Sequence, residues 1–556
     1  MSAKKHSRRD LLKALGLGAV AASSPVEIFL DGLVDGLVQK AIANNSGVDS
    51  KYILIQSHGA PPRWMFDLFL QPYGGQVVPN SSVGSELVAE TVAGESRYTK
   101  TKYQTYNVKG IRAPRIWTQN VGNSGGSSRA LSDLMDNMLV LQGVDALNPG
   151  HRIAAGFLNR PLTNLSIDGA LADHTNMPFG ALGFNNQLTS FNSATGQAHR
   201  RFTNGEDVVT ILPEAFEKGD IDIHKKYKNE IDRASEKLNR SLASLNLGGA
   251  NLNNTFKSTQ DLMKGEILKI RDEYPALLAK YQRIIQSTIE LSKNLPGFSD
   301  RPVTRKGEST RLTSGGLTSF DDDLRSTLNG MRVLFMAEKF ALLEYVITNG
   351  LTSTASLNAD AVQFQIARSA GANPVFTTVA VDQHQIDDVA SVFFSVMRFR
   401  LIGACTLGLI DALKAKSYKG SNMFNHTVIR QASEFGRHPR DRAQEEARPN
   451  ITHTPGSDHA PWSATNMILS GMIKSPLVAG EIVADGATKG RRAGSWGHGG
   501  LLKHGAPMTT GHVISSIATM LRIPSPSVNN PSLVVRNRSG EIELHDFFIE
   551  KTKVVA

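Results

Sequence analysis

The sequence predicts an α/β fold, a doubly wound and mostly parallel sheet carrying a helical insertion, and three observations point there. Short β-branched runs ending in loops recur along the chain. Stretches of helical periodicity separate them, and one long block rich in Lys, Glu, Leu and Ile stands apart from both. Strands alternating with helices form a parallel sheet covered on both faces.

The first strand is Tyr52-Ile53-Leu54-Ile55-Gln56, which runs into the loop Ser57-His58-Gly59. A second, Met138 to Gly143, follows a helix capped by Ser127 or Ser128 and opens into the loop Asp145 to His151. Between about Asp220 and Asn294 the pattern predicts two long helices broken at Gly248-Gly249. Gly297 to Ser319 is a loop by composition, and Phe320 to Thr348 turns helical again. Val375 to Val381 is a strong strand, followed by a helix over Val389 to Ala415 and a strand near Thr427 to Ala432. Arg430 and Gln431 interrupt that last apolar run, which predicts a sheet edge. These elements divide the chain into 25–200 and 351–556, two parts of one α/β domain, with 201–350 as a helical insertion or cap.

The first 24 residues belong to none of this. Ser7-Arg8-Arg9-Asp10-Leu11-Leu12-Lys13 follows Lys4 and Lys5 and leads into the apolar run Ala14 to Ala22, the layout of a twin-arginine signal peptide. The run is shorter than the roughly 20 apolar residues of a spanning helix and soon meets Pro25 and Glu27, so no permanent membrane span is expected. The expected partner is the twin-arginine translocation machinery, and the expected location is periplasmic or extracellular. Val26 to Asn44 then reads as an amphipathic helix, with Glu27, Asp31 and Asp35 on its polar face.

Composition excludes other classes. The 556 residues are 40% apolar, ordinary for a soluble globular protein, and the single Cys405 in an apolar helical context has no internal partner for a disulfide. The net charge of +10 is dispersed among Asp and Glu with no basic stripe interleaved with aromatics, which argues against nucleic acid. Gly122 to Ser128 has the composition of a phosphate loop without its lysine, and neither a G-x-S-x-G elbow nor H-E-x-x-H occurs.

Acidic and imidazole groups instead gather just past strand ends: His58 and Asp67, His151, Asp382 and His384, then Glu434 and Arg437. The carboxyl ends of parallel strands share one edge of the sheet, so these residues would meet in one crevice. Asp458, His459, His498, His504 and His512 add candidates. Oxygen ligands mixed with imidazoles suit zinc, manganese or a similar divalent ion. For any single residue the alternative is a helix-capping carboxylate or a structural histidine.

Several of these residues lie in motifs. Ser433-Glu434-Phe435-Gly436-Arg437-His438-Pro439-Arg440 resembles the S-E-F-G-R-T-P-R signature of the exported bacterial family "domain of unknown function 1501". Val381-Asp382-Gln383-His384 resembles its W-D-T-H motif, Gly456 to Trp462 its G-x-D-H-W segment, and Pro507-Met508-Thr509 its P-V-T step. More loosely, Ser57 to Asp67 is similar to its S-G-G loop ending in D-T-F-D, and Pro149-Gly150-His151 to its N-N-H turn. The resemblance covers about residues 50 to 525. It implies an alkaline phosphatase or sulfatase-like fold with a metal-assisted site. Asp382, His384 and His459 would form one metal position, Asp67 and Glu434 would offer oxygens to a second, and Asp458 would ligate or orient. One or two ions, zinc, manganese or calcium, would neutralise charge on a phosphate or sulfate ester. Arg437 would clamp the anion, and His151 is the nearest base or nucleophile.

The departures are Trp64, where the family has the first aspartate of D-T-F-D, and Val381, where it has tryptophan. No serine, threonine or cysteine nucleophile can be placed. Two functional classes therefore stay open: a metal-dependent hydrolase of phosphate or sulfate esters, and a non-catalytic exported binding or scaffold protein that keeps the fold.

Overall fold

The computed structural model describes residues 47–550 apart from single positions such as His58 and a set of segments, the longest being 68–83, 91–97, 203–228, 241–251, 296–309, 319–327, 368–375, 379–387, 440–456 and 485–495. The segments expected to form a signal peptide and a helix over Val26 to Asn44 lie outside the described residues.

A mixed, mostly parallel sheet of eight strands organises the chain, with helices on both faces. Its strands are β1 (Lys51–Ser57), β2 (Met138–Val144), β3 (Ala181–Phe184), β4 (His199–Phe202), β5 (Thr354–Asn358), β6 (Thr427–Ser433), β9 (Ala464–Leu469) and β10 (Leu477–Gly480). A separate hairpin of β7 (Gly436–Pro439) and β8 (Ser457–Ala460) sits between β6 and β9 in the chain. The order across the sheet is β4-β3-β5-β1-β6-β9-β2-β10, and β9 alone runs against its neighbours.

Alternation in the strands assigns the two faces. Ile53 and Ile55 of β1, Met138 and Val140 of β2 and Ile429 of β6 enter one apolar layer, together with the helices α3 (Leu252–Ser292), α4 (Met336–Thr348) and α5 (Asp388–Ala415). Tyr52, Leu54, Leu139, Leu141 and Val428 enter the other, with α1 (His151–Asn159), α2 (Ile167–Asp173) and α6 (Thr510–Leu521). Burial on both faces is why these strands read as continuous apolar runs. Each buried Leu or Ile contributes about 1.5–3 kcal/mol relative to exposure. Within α5, the Val389–Ala415 stretch is the one described segment long and apolar enough to cross a membrane, and its most apolar 18-residue window is buried inside the protein. Cys405 lies in it, fully buried, with its thiol pushed well up by burial.

Several expectations are corrected. β6 is interior, between β1 and β9, because its polar residues find buried partners: Arg430 binds Asn466 Oδ1 through Nε and Nη2 at 2.8 and 2.6 Å and donates to the Leu158 carbonyl, while Gln431 donates to Thr406 Oγ1 at 2.9 Å. The strand expected at Val375 to Val381 is only Phe376–Thr378 and belongs to a separate antiparallel sheet with Phe364–Ala367 and Arg332–Val333. It is therefore not a strand of the large sheet. Neither Ser127 nor Ser128 caps a helix. The helix before β2 is a 3-10 turn, Leu131–Asn137, preceded by Ala130, and Gly122 to Ser128 is the tip of a hairpin braced by Asn123. Helix α4 starts only at Met336. Helix α3 begins at Leu252, just past the expected Gly248-Gly249 break, which itself lies outside the described residues.

Candidate functional site at the carboxyl edge of the sheet

β1, β2 and β6 run the same way, so the loops after them meet at one edge. The chain leaving β1 turns sharply at Gly59 and Ala60, whose φ angles are +88° and +43°. A left-handed conformation suits glycine but strains alanine, and two side chains from the segment after β6 hold it. Glu434 Oε1 accepts the Gly59 N–H at 2.8 Å. Arg437 donates from Nη2 to the Gly59 carbonyl at 2.9 Å, from Nε to the Ala60 carbonyl, and from Nη1 to Ser457 Oγ at 3.2 Å. Arg437 is thus buried and engaged with backbone and hydroxyl oxygens. Gly436 beside it is required by space, since a Cβ there would overlap the Ser463 carbonyl.

His151 begins α1, and its Nδ1 lies 2.6 Å from Glu434 Oε1. The Glu434 side chain is fully buried, whereas His151 keeps 24% exposure. With Glu434 ionised, the contact is an Nδ1–H donated to its carboxylate. His459, on β8, reaches the same tautomer independently. Its Nδ1 lies 2.6 Å from the Pro149 carbonyl, which can only accept. The two imidazoles meet edge to face with ring centres 4.5 Å apart, and Phe435 packs on both, at 4.8 Å from His151 and 4.3 Å from His459. Asp458 pairs with His438 across the hairpin and points to the opposite face from His459.

Asp67 sits apart from these rings. Both of its oxygens are taken by Arg63, four residues earlier, with Nη2 to Oδ1 at 2.7 Å, and Arg63 Nη1 reaches Ser433 Oγ at 3.2 Å. Burial pushes the Asp67 carboxyl above its ordinary range against the pull of Arg63. A small recess lies beside this pair, lined by Arg63, Trp64, Asp67, Arg437 and Thr465 among others.

The structure therefore brings His151, Glu434 and His459 together, with Arg437 bracing the adjoining turn. Asp67 is in an ion pair, and Asp382 and His384 lie outside the described residues, as does His58. His512 forms a capping box with Thr509 at the start of α6, and the His504 ring packs at a tilt against Phe547. Among the described residues, no group of three or more His, Cys, Asp or Glu is placed to hold a metal ion. The donor chemistry nonetheless suits one in part: ligating histidines characteristically donate their other ring N–H to a carboxylate or carbonyl, as His151 and His459 do. Arg63 was missed from sequence, although its i, i+4 spacing to Asp67 was readable.

No family model and no curated protein matches this chain.

Proposed function

We propose that this chain is an exported, alkaline phosphatase-like hydrolase of phosphate or sulfate esters, working at the carboxyl edge of the sheet. The observation that carries the reading is the Glu434–His151 pair, a buried carboxylate fixing the tautomer of a half-open imidazole. With its Nδ1 proton on Glu434, His151 offers Nε2 to take a proton from an attacking water or hydroxyl, and Glu434 stabilises the imidazolium that results. His459 Nε2 would be a second donor beside it, and Asp382 and His384, which the resemblance implies as ligands, would help to hold a divalent ion. Such an ion would neutralise charge on the ester oxygens. Arg437 positions the Gly59–Ala60 turn, and through it the loop that approaches Glu434.

The Arg63–Asp67 pair favours the second reading, a non-catalytic exported binding or scaffold protein, because it occupies a carboxylate that the resemblance implies for metal. Purified mature protein separates the two. The hydrolase contains stoichiometric divalent metal and cleaves aryl phosphate or sulfate esters until chelated, whereas absence of both metal and turnover leaves the scaffold reading. Export is tested by replacing Arg8 and Arg9 with lysine, which should retain the protein in the cytoplasm; undiminished export would refute the signal.

A further inference from the structure

Helix α1 carries His151 in its first turn and is only nine residues long, too short to hold a place by its own hydrogen bonds. Its position is set by what it lies on. Val428 and Leu54, the strand neighbour and the register partner of Arg430, belong to the second apolar layer, so alternation puts Arg430 on the face beneath α1. Glu434, four residues on, meets α1 from the same side.

Both ends of α1 are thereby fastened to one strand. At its start His151 Nδ1 lies 2.6 Å from Glu434 Oε1, and at its end Arg430 donates from Nη1 to the Leu158 carbonyl. From His151 to Leu158 the helix rises about 10 Å, and from Arg430 to Glu434 an extended chain covers about 13 Å, so the two spans nearly match, with α1 running against β6. The charges match as well. The amino end of a helix favours an anion and its carboxyl end a cation, and the carbonyls of the last turn need donors from outside. Glu434 and Arg430 meet those two demands.

Arg430 is itself firmly mounted. Its side chain is fully buried, with Nε and Nη2 on Asn466 Oδ1 of β9 at 2.8 and 2.6 Å. A buried guanidinium hydrogen-bonded to the neutral oxygens of Asn466 and Leu158 costs more desolvation than an apolar side chain, which would serve packing alone. Asn159 ties the same end of α1 to Tyr52 of β1 and to Asp168 of α2, at 2.9 Å each.

We infer that Arg430 is a positioning residue: by gripping the Leu158 carbonyl from its mount on Asn466 it fixes how far α1 sits along β6, and so holds the His151 imidazole at hydrogen-bonding distance from Glu434. Its weight in catalysis rests on the hydrolase reading given above, whereas its grip on the His151–Glu434 contact does not. Two measurements on purified mature protein test this. In proton NMR of the metal-free protein, the proton shared by His151 and Glu434 should give a downfield resonance, assigned by its loss in His151→Phe. A double-mutant cycle then follows turnover of aryl phosphate and aryl sulfate by the metal-loaded protein. The paired replacement Arg430→Met with Asn466→Leu removes the grip without stranding a charge, so the fold should survive, as circular dichroism reports. The downfield resonance should vanish, and kcat should fall about 10–100-fold with KM little changed. In a Glu434→Gln background the same replacement should cost no further turnover, because the contact it serves is already weakened. Arg430→Lys, with a single donor group to divide between Asn466 and Leu158, should fall between wild type and the paired variant on both measurements, and it runs the same cycle should the paired variant not fold. A folded variant that keeps the resonance unchanged, or one whose loss of turnover is as large in the Glu434→Gln background as in the wild type, overturns the positioning role and leaves the hydrolase reading standing. A wild type that turns over neither ester overturns the hydrolase reading, and the resonance alone then decides whether Arg430 places His151. A wild type without that resonance overturns the placement itself.

Discussion

Asp67 and Glu434 are carboxylates buried at the same edge of the same sheet, and their partners differ in kind. Asp67 faces a guanidinium that stays charged at every accessible pH and takes both of its oxygens. Glu434 faces a backbone N–H and an imidazole, a partner that can be neutral or charged. The first arrangement is a lock, since neither member can change state without leaving a bare charge in the interior. The second is, on the proposed reading, a proton relay that ends in an imidazole with 24% of its side chain exposed. Burial alone therefore does not mark a carboxylate as chemical; the identity of what it holds does.

The largest expected effect tests the relay. Glu434→Gln keeps the shape of the side chain but loses the carboxylate that fixes the His151 tautomer, so ester hydrolysis should fall about 10²–10⁴-fold with little change in melting temperature. A matched fall in stability would instead make Glu434 a structural acid. The lock should respond the opposite way. Arg63→Met strands a buried Asp67 charge and should lower stability by about 3–5 kcal/mol, read as a shift in urea midpoint. The double replacement Arg63→Met with Asp67→Leu should recover most of that loss, and failure to recover would show that the ion pair itself holds the loop.

A third buried charge lies at the opposite edge and extends the comparison. Lys51 is fully buried, with Nζ 3.3 Å from the Thr352 carbonyl and 3.5 Å from Met177 Sδ, and burial pushes it down to about 8 against the weaker pull of Asp49. Below pH 8 the ammonium is charged in both states and its burial penalty is complete. Between about 8 and 10.5 the unfolded chain still holds a proton that the folded chain has released, so stability rises with pH. Lys51→Met should accordingly stabilise the protein at pH 7, by on the order of 3 kcal/mol, and flatten the rise that thermal melts record across that window. The smallest effect concerns the strained turn. Ala60→Gly should relieve the positive φ and raise stability by less than about 1 kcal/mol, the strain removed being partly offset by the looser unfolded chain. It appears as a shift in urea midpoint without a change in slope.

The strands that carry the site were legible because they are the most apolar. β1, β2 and β6 are buried on both faces, and their β-branched runs announce it. β5 was not, since Thr354-Ala355-Ser356-Leu357-Asn358 puts Thr, Ser and Asn on one face and only Ala355 and Leu357 on the other. β6 was found but misplaced to an edge, because Arg430 in a short run looks like solvent exposure unless Asn466 and Leu158 are known to lie against it. The Phe376–Thr378 strand shows the converse, a strong local propensity spent on a small antiparallel sheet. At the site, the positions of His151 and Glu434 at strand ends could be read, but their contact depends on how α1 leaves the β2 loop. The Arg63–Asp67 lock became visible only with coordinates.

The pairing of β1 with β6 has a consequence in time. Gly59 and Glu434 touch across 375 residues of chain, so at synthesis rates of about 5–20 residues per second the first strand waits roughly 20 to 75 s for its central neighbour. During that interval one flank of an apolar strand is bare, and the nascent protein depends on a chaperone or on transient cover to stay out of aggregates.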